Sequence, residues 1–252
     1  MFVLEYDGTD FQGWQRQLRS SRTIQGTLEA AISELVGREI VVTGAGRTDS
    51  GVHAQGQVAA AEFDFKYDTS VLRRAVNARL PDDLRVLECD SVSESFHPRK
   101  DAVEKHYRYR VWNGSELSPL IRRFVYHVPI PLVISPMRQA AVRWLGKQDF
   151  KSFETTGSFP ATTERTLRSF EIRGRPGQEI CFEIRGDGFL RHMIRNMIGT
   201  LILIGLGRRS SSEAERVLLA RDRSAAGPAA PAKGLVLMSV RYGNLCLLES
   251  LA

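Results

Sequence analysis

The segment with the most chemical promise is the turn Gly44-Ala45-Gly46-Arg47-Thr48-Asp49-Ser50-Gly51. Its glycines let the backbone turn tightly and let a ligand come close. They present Arg47 and Asp49 beside each other. A carboxylate with a cation nearby stays ionised, which suits a nucleophile or a base. Asp-Ser-Gly is also ordinary turn chemistry, so a purely structural turn stands beside the catalytic reading at this point. A Walker-type phosphate loop fits poorly, because that pattern needs Gly-Lys-Ser/Thr and the segment has no lysine. His53 and Asp49 together suggest a metal pair. His97, His106, His127 and His192 show no local spacing that completes such a site. No metal is expected, and His53 reads as a structural hydrogen-bonding residue.

Two further clusters carry chemistry. Residues 105–112 alternate with period two, which places Tyr107, Tyr109 and Val111 on one face of a strand and His106, Arg108 and Arg110 on the other. Tyr107 lies in sequence among Lys105, Arg108 and Arg110. A flat aromatic among cations suits base stacking, and a core residue of an amphipathic strand suits the same pattern. Residues 189–204 read as a helix. On it Arg191 and Arg195 stand at i and i+4, with His192 close by on the same face. Leu190, Ile194, Met197, Ile198 and Leu201 make the apolar stripe. A basic group on a buried helix is costly unless it is paired or faces a cleft, so an ion pair from Arg195 to a carboxylate is expected, with the partner unnamed.

These residues need elements to position them. A strand is expected over 2–6. Thr23 then caps a helix whose apolar residues Ile24, Leu28, Ala31, Ile32 and Leu35 recur at helical spacing, and Gly37 ends it. Short strands are expected over 40–43, 57–65 and 84–89, with a helix between the last two capped by Ser70. A loop at 96–100 marks the boundary between two halves. Beyond the strand at 105–112, a helix is expected over 137–145 and strands over 167–173 and 179–185. Ser212 and Glu215 form a capping box for a short helix. An Ala/Pro/Gly-rich loop covers 224–233, and closing strands cover 235–242 and 245–251. Strands adjoin strands as well as helices, so an α+β fold is expected. The domains read as residues 1–100, carrying the Asp49 loop, and 101–252, carrying the Tyr107 strand and the basic helix.

Composition narrows the function classes. The chain has 252 residues, 42% of them hydrophobic, enough for a sizeable core. Cys89, Cys181 and Cys246 are odd in number and widely spaced, so no disulfide framework or zinc pattern follows and each reads as a small buried residue. The first residues lack a basic region ahead of an apolar stretch, so no signal peptide is expected. The most apolar run, 197–206, is too short for a bilayer. A cytoplasmic protein is expected. The net charge is +6, and arginine dominates the basic residues. Arginine forks onto phosphates and stacks on bases, which suits a polyanionic partner; an arginine-favouring genomic composition explains the same excess.

The ordered set of motifs resembles the TruA family of tRNA pseudouridine synthases along nearly the whole chain. The set runs through Tyr6-Asp7-Gly8, Phe11-Gln12-Gly13-Trp14-Gln15, Thr23-Ile24-Gln25-Gly26 and the block from Gly46 to His53. It continues through Lys105-His106-Tyr107-Arg108-Tyr109, the block from Gly188 to Met197, and Pro231-Ala232-Lys233-Gly234-Leu235. The resemblance implies a pseudouridine synthase fold, two α+β halves sharing a central, mainly antiparallel sheet. It implies a catalytic carboxylate at Asp49, an active-site tyrosine at Tyr107 and a basic partner at Arg195. Arg47 would position the RNA and the flipped base, with His53, Arg191 and His192 as further RNA contacts. It also implies an isomerase acting on uridine in the tRNA anticodon stem-loop (positions 38 to 40), without metal or organic cofactor, as a homodimer with no membrane attachment. Two competing readings are a catalytically silent RNA-binding protein or tRNA chaperone of the same fold, and a metal-dependent nuclease. The first must explain an intact Asp49, Tyr107 and Arg195; the second lacks a carboxylate cluster.

Overall fold

A computed structural model of the chain describes residues 1–17, 22–155 and 161–243. The expected strand over 245–251 and Cys246 lie outside the described residues. The chain divides into two compact units, Met1–Val103 with Val236–Ala252, and Glu104–Leu235. The sequence division at residue 100 put the strand expected over 235–242 with the second half; from Val236 onward the chain belongs to the first compact unit.

The first unit is built on strands β1 (Phe2–Tyr6), β2 (Thr43–Gly44), β3 (His53–Ala60) and β4 (Leu84–Cys89). Strand β1 lies between β3 and β4, antiparallel to both. The chain's last described strand (Leu235–Arg241) runs parallel to β3, with Val236 opposite His53. Helix α1 (Ile24–Val36) begins and ends where the sequence says it should. The Thr23 side chain accepts the Gly26 amide, and Gly37 takes a left-handed φ of 72°. Helix α2 (Thr69–Asn77) begins after Asp68 rather than at Ser70. Strand β3 starts at His53 instead of 57. Its sequence, His-Ala-Gln-Gly-Gln-Val-Ala-Ala, has no clean apolar alternation to announce it, and the pairing with β1 holds it in place.

The second unit adds β5 (Glu104–Trp112), β6 (Tyr126–His127), β7 (Gly146–Asp149), β8 (Glu164–Gly174) and β9 (Glu179–Gly186); the strand Leu235–Arg241 described with the first unit is β10. Strands β5, β9, β8 and β7 pair in that order, antiparallel throughout. The inner face of β5 is buried at Tyr107, Tyr109 and Val111, as its alternation requires. Helix α3 (Ile134–Val142) starts three residues ahead of the expected 137. Pro136 in its first turn lacks an amide that no intrahelical partner would use. Helix α4 (Met193–Gly205) is buried along almost its whole length. Helix α5 (Glu213–Ala220) follows Ser212, but the expected capping box with Glu215 does not form: Ser212 makes no side-chain cap, and Glu213 instead accepts the Ser210 amide at 3.1 Å. Both units mix helices with mainly antiparallel strands, an α+β fold.

Candidate active site

Asp49 sits in the loop between β2 and β3, half-buried, with Arg47 exposed and Thr48 buried between them. The loop is held from several sides within the first unit. The Thr48 carbonyl accepts the Trp14 amide at 3.0 Å, and the Val52 amide donates to the Asp49 carbonyl at 3.1 Å. The Ser50 hydroxyl donates to the Phe11 carbonyl at 3.2 Å. Gly13, at φ 84°, lies against the backbone of Thr48 through Ser50; an added Cβ would stand 2.8 Å from the Thr48 carbonyl oxygen. Gly8 packs equally closely on the Val52 carbonyl, where a Cβ would overlap it. The Tyr6–Gln15 motifs are therefore the cradle of the Asp49 loop, a role the sequence did not show.

Below the loop lies a buried polar floor that sequence reasoning missed. The Tyr6 hydroxyl meets Thr48 Oγ1 at 2.9 Å, and Gln57 Nε2 donates to the Gly46 carbonyl at 2.9 Å. Burial pushes the Tyr6 hydroxyl up to about 12, so it keeps its proton at neutral pH. His53 is 3% exposed. Its Nδ1 accepts the Gly8 amide at 3.0 Å and lies 3.1 Å from Asp7 Oδ1. That gives His53 a place in the frame of the loop.

In the second unit, Tyr107 is 7% exposed and meets the Phe189 ring edge-on, with centroids 5.2 Å apart and planes at 82°. The cations near it in sequence are engaged elsewhere. On the opposite face of β5, His106 Nε2 and Arg108 Nε each lie 2.6 Å from a Glu183 carboxylate oxygen. Arg110 grips Glu179 through two hydrogen bonds, 2.7 and 2.8 Å. The expected aromatic among cations is therefore corrected for Arg108 and Arg110: strand geometry turns them away from Tyr107, and carboxylates on β9 neutralise them.

Phe189 leads into the basic segment, which differs from the expected long helix. Helix α4 starts at Met193, and His192 before it is left-handed at φ 61°. Arg191 lies outside the helix, so it shares no helical face with Arg195. The physical cause is a tertiary contact. His192 Nδ1 meets Thr155 Oγ1 at 2.7 Å, and the Arg191 carbonyl accepts the Thr155 amide at 3.2 Å. These bonds hold the chain in a turn where the apolar periodicity alone would continue the helix. Arg191 is exposed and Arg195 half-buried. Arg195 Nε donates to the Ala230 carbonyl at 2.8 Å, and the Ala230 amide donates back to the Arg195 carbonyl at 2.9 Å. The Ala/Pro/Gly-rich segment is thus fastened to α4. The structure brings Tyr107 to the approach of α4 through Phe189, and places Arg47 and Asp49 on the loop that leads into His53 at the start of β3.

Among the described residues no group of three or more His, Cys, Asp or Glu is placed to hold a metal ion. No helix among them is long and apolar enough to cross a membrane.

A family model described as tRNA pseudouridine synthase matches residues 3–99 and 140–243. The tRNA pseudouridine synthase A of Maridesulfovibrio salexigens is 42% identical over 244 residues, covering 96% of this chain and 89% of that one. The protein of the same name from Methylobacterium nodulans is 42% identical over 246 residues, covering 97% of this chain and 96% of its own. Among solved structures, an archaeal box H/ACA sRNP Nop10–Cbf5 complex aligns at a TM-score of 0.37 and 12% identity, covering 90% of this chain and 60% of that one, too remote to bear on the site. The chain belongs to the tRNA pseudouridine synthase family, whose reaction is the isomerisation of uridine to pseudouridine.

Proposed function

We propose that the chain isomerises uridine in the tRNA anticodon stem-loop, at positions 38 to 40, with Asp49 as the catalytic carboxylate. The observation that supports this is the construction of the loop: Gly46, Thr48 and Ser50 are tied to their surroundings, with Arg47 exposed and Asp49 half-buried beside them. The reaction breaks the N1–C1′ glycosidic bond and makes a C5–C1′ bond with no net redox change. It asks for a carboxylate at the ribose, either attacking C1′ or taking the C2′ proton. Both routes need Asp49 ionised and aimed. The uridine must leave the stack and turn within a pocket. Tyr107 offers it a stacking face and a hydroxyl for proton removal from C5. The parts given to Tyr107, Arg195, Arg47, Arg191 and His192 rest on the family resemblance, as do a homodimer and a cytoplasmic setting.

The test is to incubate the protein with an unmodified tRNA transcript in EDTA and map pseudouridine. Product at positions 38 to 40, lost in Asp49→Asn, is the expected result. Intact, unmodified RNA would point to a silent binder. Cleavage that requires added metal would point to a nuclease.

A further inference from the structure

Asp49 must be aimed, and the residue that aims it is not its sequence neighbour alone. Thr48 directly precedes it and is buried, with a side chain that faces the interior of the first unit. There its hydroxyl meets the hydroxyl of Tyr6, which is 3% exposed. Both groups would be unsatisfied without each other or another partner, because water does not reach them. The Gln57 side chain, fully buried, lies beside the same Tyr6 hydroxyl and donates to the Gly46 carbonyl. The phenol holds Thr48 and the neighbouring amide holds Gly46, the two positions that flank Arg47, and Thr48 also flanks Asp49.

The strand beneath is shaped for this. Leu4 pairs with Gln57, yet Tyr6 pairs with Ala54, so two residues of β3 oppose one of β1 between those pairs. Such a bulge bends the strand and re-aims the side chains beside it. A tyrosine is long enough to carry its hydroxyl from β1 to the loop, and its ring is buried with it. A valine or leucine at position 6 would fill the core and leave Thr48 without this partner.

We propose that Tyr6, acting through the Thr48 hydroxyl, is a positioning residue that fixes the aim of Asp49; this rests on Asp49 being the catalytic carboxylate. Tyr6 touches no reacting atom. Its effect is on how often the carboxylate stands where the ribose needs it, a property to which rates are steeply sensitive.

The experiment is single-turnover pseudouridine formation on an unmodified tRNA transcript, measured across tRNA concentration, with thermal melting of each variant. Tyr6→Phe keeps the ring and removes the hydroxyl. Thr48→Val keeps the shape and removes the partner hydroxyl, and Thr48→Ser restores it. We expect the rate at saturating tRNA to fall roughly 10- to 100-fold in Tyr6→Phe and Thr48→Val. The half-saturating tRNA concentration should stay near wild type, and Thr48→Ser should recover most of the rate. The double variant Tyr6→Phe/Thr48→Val should be no slower than the worse single one, because the two groups act as one unit. A wild-type saturating rate in folded Tyr6→Phe overturns the proposal, whatever its melting temperature. So does a loss carried wholly by tRNA affinity, or losses that multiply in the double variant. Asp49→Asn in the same assay separates the two ideas: if it stays active the catalytic assignment itself falls, and if it is dead while Tyr6→Phe is unimpaired only the positioning role falls.

Discussion

Glu29 and Val42 meet through side chain and backbone: the Glu29 carboxylate accepts the Val42 amide at 3.0 Å, in the core of the first unit. Gln25, one turn earlier on α1, donates to the Val42 carbonyl at 3.0 Å and to Glu29 at 3.0 Å. Two helical side chains thus satisfy both backbone groups of a residue that has no strand partner there. Val42 leads directly into β2 and the Asp49 loop. Gln25 Oε1 also accepts the Arg16 amide at 2.9 Å, so it fastens the segment that cradles the loop.

From this we predict that Glu29→Ala destabilises the protein by about 2–3 kcal/mol, since a buried amide and the Gln25 side chain both lose an acceptor. Glu29→Gln keeps one oxygen and should cost less. Urea unfolding of the three proteins checks the order; equal midpoints for wild type and Glu29→Ala would contradict it.

The clamp was not legible in the sequence, and the reason is general to such features. Helix α1 could be read because Thr23 and Gly37 act on their own neighbours, and β5 because its alternation is a property of the strand itself. Glu29 looks like any polar residue on a helix, and only tertiary packing turns it inward. The same holds for the start of α4, which is set by Thr155 contacting His192 from a distant segment. It holds for β3 as well, whose buried Gln57 breaks the pattern that would announce a strand. The motif around Asp49 was visible from its glycines. The floor beneath it, Tyr6 with Thr48, joins residues 42 positions apart and leaves no local trace.

Gly199 on α4 yields a second prediction. A Cβ there would overlap the Pro228 carbonyl, because the Ala/Pro/Gly-rich segment lies directly on the helix. Gly199→Ala should therefore push that segment off α4 and disturb the Arg195–Ala230 pair of hydrogen bonds. We expect a loss of about 1–3 kcal/mol despite alanine's better helix propensity. A variant that melts at or above the wild-type temperature would show that the segment yields freely.

Acid should weaken the second unit through Glu179. Its hydrogen bonds from Arg110 hold the carboxyl below the ordinary value of 4.5. A folded-state value below the unfolded one means stability that is fully present above about 4.5 and is lost as the pH falls through the folded value. Melting temperatures of wild type and Glu179→Gln should thus converge as the pH is lowered below about 4.5. Parallel curves through that range would remove Glu179 from the account.

Binding of tRNA should depend steeply on salt, because phosphate contacts release counterions. We expect affinity to fall at least about tenfold between about 50 and 200 mM salt. The two arginines on β5, Arg108 and Arg110, are neutralised by Glu183 and Glu179 and should contribute little. Arg47 and Arg191, both exposed, are better placed. Alanine at either should weaken binding and flatten the salt slope by about one. A dissociation constant that ignores salt would contradict the electrostatic reading.

Tyr107 separates packing from chemistry. Its ring is buried and set edge-on against Phe189, so Tyr107→Ala should cost about 3–5 kcal/mol of stability, the usual loss for a large buried aromatic. Tyr107→Phe keeps that ring contact and the stacking face and removes only the hydroxyl. If the hydroxyl assists proton removal from C5, the phenylalanine variant should fold and bind tRNA close to wild type yet turn over more slowly. Single-turnover rates, tRNA binding and melting on the same preparations make the comparison. Wild-type turnover in Tyr107→Phe would confine the residue to stacking and packing. Loss of tRNA affinity in step with turnover would place the hydroxyl in substrate binding instead of the chemical step.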